Sequence, residues 1–414
     1  MSRRWTIFAI TSSLFFLSQF YRTSNAVIAP QLIGDLGLDT EGLGLISAAF
    51  FYGFAITQIP ISLLLDKVGP RHIMTALSLL GIAGAFVFAG ADSLSVGLIG
   101  RVLMGVGMAC NLMGSLKLIN EWFGPLVFAT LSGILVSIGT LGNMIATTPL
   151  VVLVEHVGWR QSFQLIAGVN LILTLIFFAG VRDRPRAGTP GHQDQESSLS
   201  LHQAFGNLRV LLNDKDYWII SCATFVRYGV FAAFQALWAG PFLMEVRGYT
   251  AVVAGNLIFL VNLGMLLGGP FWGTLSDRLF KTRKWAIWFG LVSLAAIMLA
   301  LVFLPPDTGP EAMAVFCFGF GLFSAAGLLM YPHIKELMPA GMAGAAMTGI
   351  NFFTMMGSAV FLQGLGNLMQ ALYPEASRGP EAFHAAFMLS VACMLGVAGL
   401  YLLTKDKMVG PEIP

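Results

Sequence analysis

Apolar residues run through this chain in long, nearly unbroken blocks separated by short polar breaks. Twelve blocks have the length of a membrane-spanning helix, roughly over 6–31, 43–65, 72–91, 95–119, 127–154, 161–181, 217–243, 250–275, 284–304, 311–332, 343–370 and 383–404. A helix needs about 20 apolar residues to cross the hydrocarbon, whereas a barrel strand alternates over about 10. The pattern therefore predicts an all-α membrane protein of twelve spans. The first block is too long for a cleaved signal peptide, and no small-residue cleavage site is followed by a polar mature domain.

Composition agrees with this reading. Hydrophobic residues make up 56% of the 414, charged residues 11%, and the mean hydropathy is +0.78. A soluble domain carries about 25% charge, so this chain cannot cover itself with a polar surface. The four cysteines, Cys110, Cys222, Cys317 and Cys393, all fall within predicted spans and read as buried free thiols. They show neither a disulfide framework nor metal-ligand spacing.

Charge orients the spans. With the N-terminus inside, the inner segments hold sixteen Lys and Arg residues, from Arg3 and Arg4 through Lys67, Arg71, Arg182, Arg184, Arg186 and Arg209 to Lys407. The outer segments hold three: Arg160, Arg247 and Arg378. The positive-inside rule then places both termini in the cytoplasm. The longest polar stretch, near 182–216, is rich in Gly, Pro, Ser and charge, and reads as a linker between an N-terminal bundle (1–181) and a C-terminal one (217–414). Part of it, Leu199–Leu212, has some amphipathic character.

The two bundles repeat. "QIPISLLLDKVGPRH" closes the second span and "GGPFWGTLSDRLFKTRK" the eighth, with Asp66 and Asp277 211 residues apart. "FATLSGI" (128–134) and "GAAMTGI" (344–350) open the fifth and eleventh spans, 216 apart, and Arg22 and Arg227 are 205 apart. Two six-helix repeats joined by an inner linker suit an alternating-access transporter. On these motifs the chain resembles the major facilitator superfamily over its whole length. Asp66-Lys67-x-Gly69-x-Arg71 resembles that family's loop motif, with Ser62 in place of the usual leading glycine and Gly273 kept in the second copy. "GRVLMGVG" (100–107) resembles its fourth-span arginine motif, and "GWRQSFQLIAG" (158–168) the start of its sixth span.

The resemblance gives roles to the charges. Asp66, Arg71, Asp277 and Arg278 are expected to act as gating residues at inner helix ends. Arg101, near the outer end of the fourth span, is expected to hold structure, by snorkelling or by bonding carbonyls of the first span. Arg22 and Arg227 lie ten or more residues from the inner ends of their spans, where charge is costly and marks a pathway or ligand. No Asp or Glu sits mid-span to neutralise them. Because spans one and seven line the central cavity in this architecture, the two guanidinium groups are expected to face each other across it. There they would clamp a small anion, since guanidinium forks match phosphate and carboxylate.

"YRTSNAVIAP" (21–30) and "RYGVFAAFQALWAGP" (227–241) resemble the matching segments of the organophosphate:phosphate antiporters, whose paired arginines bind a phosphoryl group. The chain departs from them at two places. Gln58 stands where those carriers have a lysine, and no histidine lies between Phe128 and Val154. A phosphate ester and a carboxylate therefore both remain open as substrate. Tyr21, Asn25, Gln58, Asn143, Gln235, Trp238 and Asn262 complete the expected substrate-binding set, with Ser18, Thr224, Asn111, Asn351 and Gln363 as further polar candidates. His333 repeats the position of Lys117. With no central titrating group, exchange or facilitated transport is expected. Proton-coupled transport of another solute and a non-transporting ligand sensor are the alternatives. Nothing has the form of a catalytic triad, a metal site or a nucleotide-binding domain, so no catalytic residue, metal or cofactor is expected, and no nucleic-acid partner. The expectation is a monomer in a bacterial inner membrane.

Overall fold

The computed structural model describes residues 3–183, 211–305, 307–339 and 342–406. Most of the expected linker lies outside the described residues, including Arg184, Arg186, Arg209 and most of Leu199–Leu212, as does Lys407. The chain is helical from end to end, with no strand among the described residues. The helices correspond to the predicted spans: α1 (Arg3–Thr23 and Asn25–Leu36), α2 (Thr40–Val68), α3 (Pro70–Ala89), α4 (Leu94–Phe123), α5 (Pro125–Ile145, resuming at Thr148), α6 (159–180), α7 (Lys215–Val246), α8 (Ala251–Phe280), α9 (Arg283–Phe303), α10 (Pro310–Leu337), α11 (Ala343–Leu372) and α12 (Pro380–Tyr401).

Among the described residues, ten stretches are long and apolar enough to cross a membrane, and Thr130–Ile145 of α5 is a shorter apolar helix. α1 is not one of the ten, because its first segment ends at Thr23 and is diluted by Arg3, Arg4, Arg22 and its Ser, Thr and Gln residues. Leu165, Ile172 and Leu175 on α6 are each more than half exposed, a surface that only lipid solvates well. Among the thiols, Cys110 and Cys317 are buried, but Cys222 is exposed, contrary to expectation: its position on α7 turns it away from the packed side.

Glycine and proline punctuate the spans as their chemistry requires. α3, α5, α10 and α12 each begin Gly-Pro, with proline at the first helical turn, where its missing N–H costs nothing. α5 and α6 would run on as one rod but for Gly158, whose φ of 79° breaks the helix.

By contacts the chain divides into two compact units. One comprises the described residues of Met1–Gly37 and Ala49–Leu199, the other Leu38–Ala48 with Ser200–Pro414. Inside the first, α1 packs on α5, and α3 on α4 and α6. Inside the second, α7 packs on α11, α8 on α10 and α9 on α12.

Glycines set the tightest of these approaches, and they do so identically in both units. A Cβ on Gly53 would overlap the Val102 carbonyl (2.7 Å), and one on Gly105 the Phe50 carbonyl. In the second unit Gly264 meets the Phe318 carbonyl and Gly321 the Val261 carbonyl in the same way. Every α2 residue here is 211 from its α8 partner, and every α4 residue 216 from its α10 partner. The repeat seen in sequence is thus a repeat of backbone contacts, with small residues letting helices touch.

Candidate functional site

In the first unit, α1 breaks between Thr23 and Asn25. The Tyr21 carbonyl at the break accepts hydrogen bonds from Ser24 Oγ (3.1 Å) and Arg101 Nη1 (3.0 Å). Arg101 is fully buried between the rings of Phe50 and Phe88, 5.1 and 5.6 Å from its Cζ. Arg22, the next residue along, is half-buried, with its Cζ 5.8 Å from the Phe51 ring centre. Tyr21 and Asn25 are fully buried beside it. Thr23 Oγ1 donates to Asn143 Oδ1 (3.4 Å), Gln58 Nε2 to the Ala109 carbonyl (3.4 Å) and Ser18 Oγ to the Met108 carbonyl (3.2 Å).

In the second unit, Arg227 is 2% exposed on α7. Its Cζ lies 5.2 Å from the Tyr228 ring centre, and neither Nε nor Nη1 has a hydrogen-bond partner. It makes no ion pair among the described residues. Two turns on, α7 widens into a π-helical turn at Phe234–Trp238, a form that recurs at functional sites. That turn aims Gln235 Nε2 at Asn262 Oδ1 of α8 and Trp238 Nε1 at the Leu362 carbonyl of α11 (3.1 Å). Asn351 accepts from the Tyr331 hydroxyl (3.1 Å), while Thr224 Oγ1 bonds the Ile220 carbonyl of its own helix (2.8 Å) and Met330 Sδ of α10 (3.1 Å).

These contacts revise the register between α1 and α7. Asn111 Nδ2 donates to the Leu14 carbonyl, and 216 residues after Asn111 comes Gly327, which lies against Arg227. Arg22 lies over Phe51, and 211 residues after Phe51 comes Asn262, which holds Gln235. These side-chain contacts put α1 and α7 213 residues apart, and the backbone approaches of Gly142 to the Phe16 carbonyl and of Gly357 to the Phe225 carbonyl put them 209 apart. By the side-chain contacts Gln235 matches Arg22 and Leu14 matches Arg227, and by neither measure do the two arginines match each other. The spacing of 205 between the arginines is not the spacing of the repeat. Each arginine sits four to eight residues, about 6–12 Å of helical rise, from the place its partner's position would assign it.

The helix ends that carry the gating candidates are tied differently from one another. The Asp66 side chain lies outside the described residues. Arg71 donates its backbone N–H to Asp183 (2.6 Å) and its Nε to the Phe178 carbonyl (2.9 Å), stacking on that ring. Asp277 pairs with Arg283, which also reaches Glu336 (3.2 Å), whereas Arg278 is exposed. Lys117 Nζ closes on the Leu65 carbonyl (2.8 Å), and His333 is buried between the Tyr401 hydroxyl (2.6 Å) and the Lys405 carbonyl (3.2 Å). Asp183 and Gly327 are the residues that sequence reasoning missed. The 216-residue offset from Asn111 points to Gly327, but nothing local marks it. No group of three His, Cys, Asp or Glu able to hold a metal occurs among the described residues.

Comparison with known proteins is consistent over nearly the whole chain. The "Probable sulfoacetate transporter SauU" of Cupriavidus necator is 24% identical, with 99% of this chain and 96% of that protein covered. The "Probable hexose phosphate transport protein" of Chlamydia muridarum is 22% identical (96% and 90%), and the "Glycerol-3-phosphate transporter" of Bacillus subtilis 25% (91% and 87%). Among solved structures, a bacterial homolog of the human lysosomal transporter Spinster in an inward-facing, unoccupied conformation superposes with a TM-score of 0.76 at 18% identity, covering 97% of both chains. The nucleoside transporter NupG gives 0.77 at 11% identity, covering 96% and 99%. The model of the Major Facilitator Superfamily matches residues 11–362. With that match across most of its length and the same fold in its structural neighbours, this multi-pass membrane chain belongs to the Major Facilitator Superfamily and is a transporter, not an enzyme.

Proposed function

We propose that the protein carries a small organic anion across the membrane by alternating access, with Arg22 and Arg227 as its binding cations. The observation that carries this reading is Arg227: 2% exposed, with Nε and Nη1 unpartnered and no ion pair among the described residues, whereas Arg101, buried with Nε and Nη2 unpartnered, is held by its bond to the Tyr21 carbonyl. A buried guanidinium left in that state costs several kcal/mol, and an anionic substrate would offset the cost while bound. Relatives named for sulfoacetate, hexose phosphate and glycerol-3-phosphate handle anions of this size, which supports the same class here. Phosphate esters, carboxylates and sulfonates all satisfy a guanidinium fork.

Tyr21, Asn25, Gln58, Asn143, Gln235, Trp238 and Asn262 supply the polar and aromatic surroundings. Asp66, Arg71, Asp277 and Arg278 belong to the gates, and Arg101 holds α1 to α4. The carrier is a monomer in a bacterial inner membrane, with both termini and the 182–216 linker in the cytoplasm. Exchange or facilitated flux is its mode. A thermal-shift panel of phosphate esters, sulfonates, mono- and dicarboxylates, sugars and amines on the purified protein tests the reading. Stabilisation by anions alone supports it, and stabilisation by neutral or cationic ligands alone overturns it.

A further inference from the structure

The Arg227 guanidinium rests against a residue that no motif singles out. A Cβ built on Gly327 would overlap its Nε, Cζ and Nη2 at once. Near-equal approach to Nε, Cζ and Nη2, with Nη1 not among the nearest atoms, places the glycine above the plane on its Nε–Nη2 side. Gly327 lies in the 3₁₀ turn Ala325–Leu329 that interrupts α10, and the Tyr228 ring also lies close to the guanidinium. Backbone and ring thus occupy space around the plane. Nε and Nη1, both buried and without partners, lie on different edges of the plane, and each forms a two-donor fork with Nη2.

The other repeat shows what this position does without an arginine beside it. There the matching residue is Asn111, which keeps its side chain and bonds the Leu14 carbonyl (3.4 Å). Leu14 thus meets Asn111 where Arg227 meets Gly327. Where α1 offers only backbone, α4 carries an amide; where α7 carries a guanidinium, α10 carries a glycine.

We propose that Gly327 is a positioning residue for anion recognition, and that it makes the site selective for oxyanions over halides. Held flat, the guanidinium can be approached only along its N–H edges. Edge-on donors match a carboxylate, sulfonate or phosphate that presents two oxygens. A spherical halide gains nothing from that alignment. A methyl group on Gly327 pushes the guanidinium out of plane and removes the advantage. The proposal rests on Arg227 being a binding cation of the carrier.

The test is the concentration dependence of thermal stabilisation of the purified full-length protein by inorganic phosphate, methanesulfonate, acetate and bromide. It is run on wild type, Gly327→Ala, Arg227→Ala and the double variant. In wild type at least one oxyanion stabilises at concentrations where bromide does not. Gly327→Ala weakens that oxyanion by about tenfold or more, equivalent to ~1.4 kcal/mol, and leaves bromide unchanged. Without ligand, Gly327→Ala lowers the melting temperature in the wild-type background but not beside Arg227→Ala. Equal loss in both backgrounds means that the glycine serves helix packing alone and overturns the proposal, as does unchanged oxyanion affinity in Gly327→Ala. This ligand-free comparison still decides if Gly327→Ala is too unstable for titration. If Arg227→Ala itself leaves oxyanion binding intact, the Arg227 reading fails first, which is a separate result.

Discussion

Gln235 and Arg22 reach matching residues of the neighbouring span in their own units, Asn262 for the first and Phe51 for the second, which are 211 positions apart. One half meets that level with a charge over an aromatic ring, the other with a closed pair of amides. The pair is buried, so breaking it from one side leaves an orphaned polar group costing about 1–3 kcal/mol. Gln235→Leu and Asn262→Leu should each lower the melting temperature, and the double variant should lose less than the two losses added. Additive losses in a double-mutant cycle would mean that the amides do not act as a pair.

Arg101 is read as a structural clasp. Its Nη1 holds the Tyr21 carbonyl where α1 has broken, and two aromatic rings enclose it. Removing a charged donor from such a bond costs about 1.5–3 kcal/mol. Arg101→Met should therefore lower thermal stability while leaving the affinity of the surviving folded protein for its anion unchanged. Unchanged stability with abolished transport would instead assign Arg101 to the transport cycle.

The glycine contacts between α2 and α4 and between α8 and α10 should respond in parallel. Gly105→Ala and Gly321→Ala each drive a methyl group into a backbone carbonyl, of Phe50 and Val261 respectively. Overpacking of this kind costs about 1–3 kcal/mol, and more where backbone must move. Melting curves in detergent should show comparable losses for the two variants. A silent result at either position breaks the equivalence of the two contacts.

Asp183 fastens the start of α3. It accepts the Arg71 N–H and fills the space over Gly69, whose φ of 91° and ψ of 154° suit only glycine. Asp183→Ala should cost about 1 kcal/mol, the usual value of a lost helix cap. Gly69→Ala should cost more, because it adds backbone strain to the overlap. Stability assays that rank the two variants in the opposite order contradict this account.

The spans were legible in sequence because lipid demands long apolar runs, and the repeat because its landmarks keep offsets of 211 and 216. The register of α1 against α7 was misread for a physical reason. Two arginines on corresponding helices look like one duplicated residue, but Arg22 lies over Phe51 and Arg227 against Gly327, at different levels of their repeats. Charge type drew the eye, while helix register is set by backbone approach. Asp183 was hidden because it follows α6 in the chain yet caps α3. The motif marked Asp66 and Arg71 as gating residues but not Asp183, to which the Arg71 N–H goes, while Nε goes to the Phe178 carbonyl. Gly327 was one glycine among 47, and only the guanidinium lying on it distinguishes it.

The central claim is that Arg22 and Arg227 bind a transported anion, and uptake into proteoliposomes tests it most directly. Labelled phosphate esters, sulfonates and carboxylates are compared with a neutral sugar and an amine, for wild type, Arg22→Gln and Arg227→Gln at matched reconstitution. The account predicts saturable uptake of at least one anion, and a rise of about tenfold or more in its half-saturating concentration in each variant. Saturable uptake of the sugar or amine alone, or anion uptake that survives both substitutions unchanged, contradicts it.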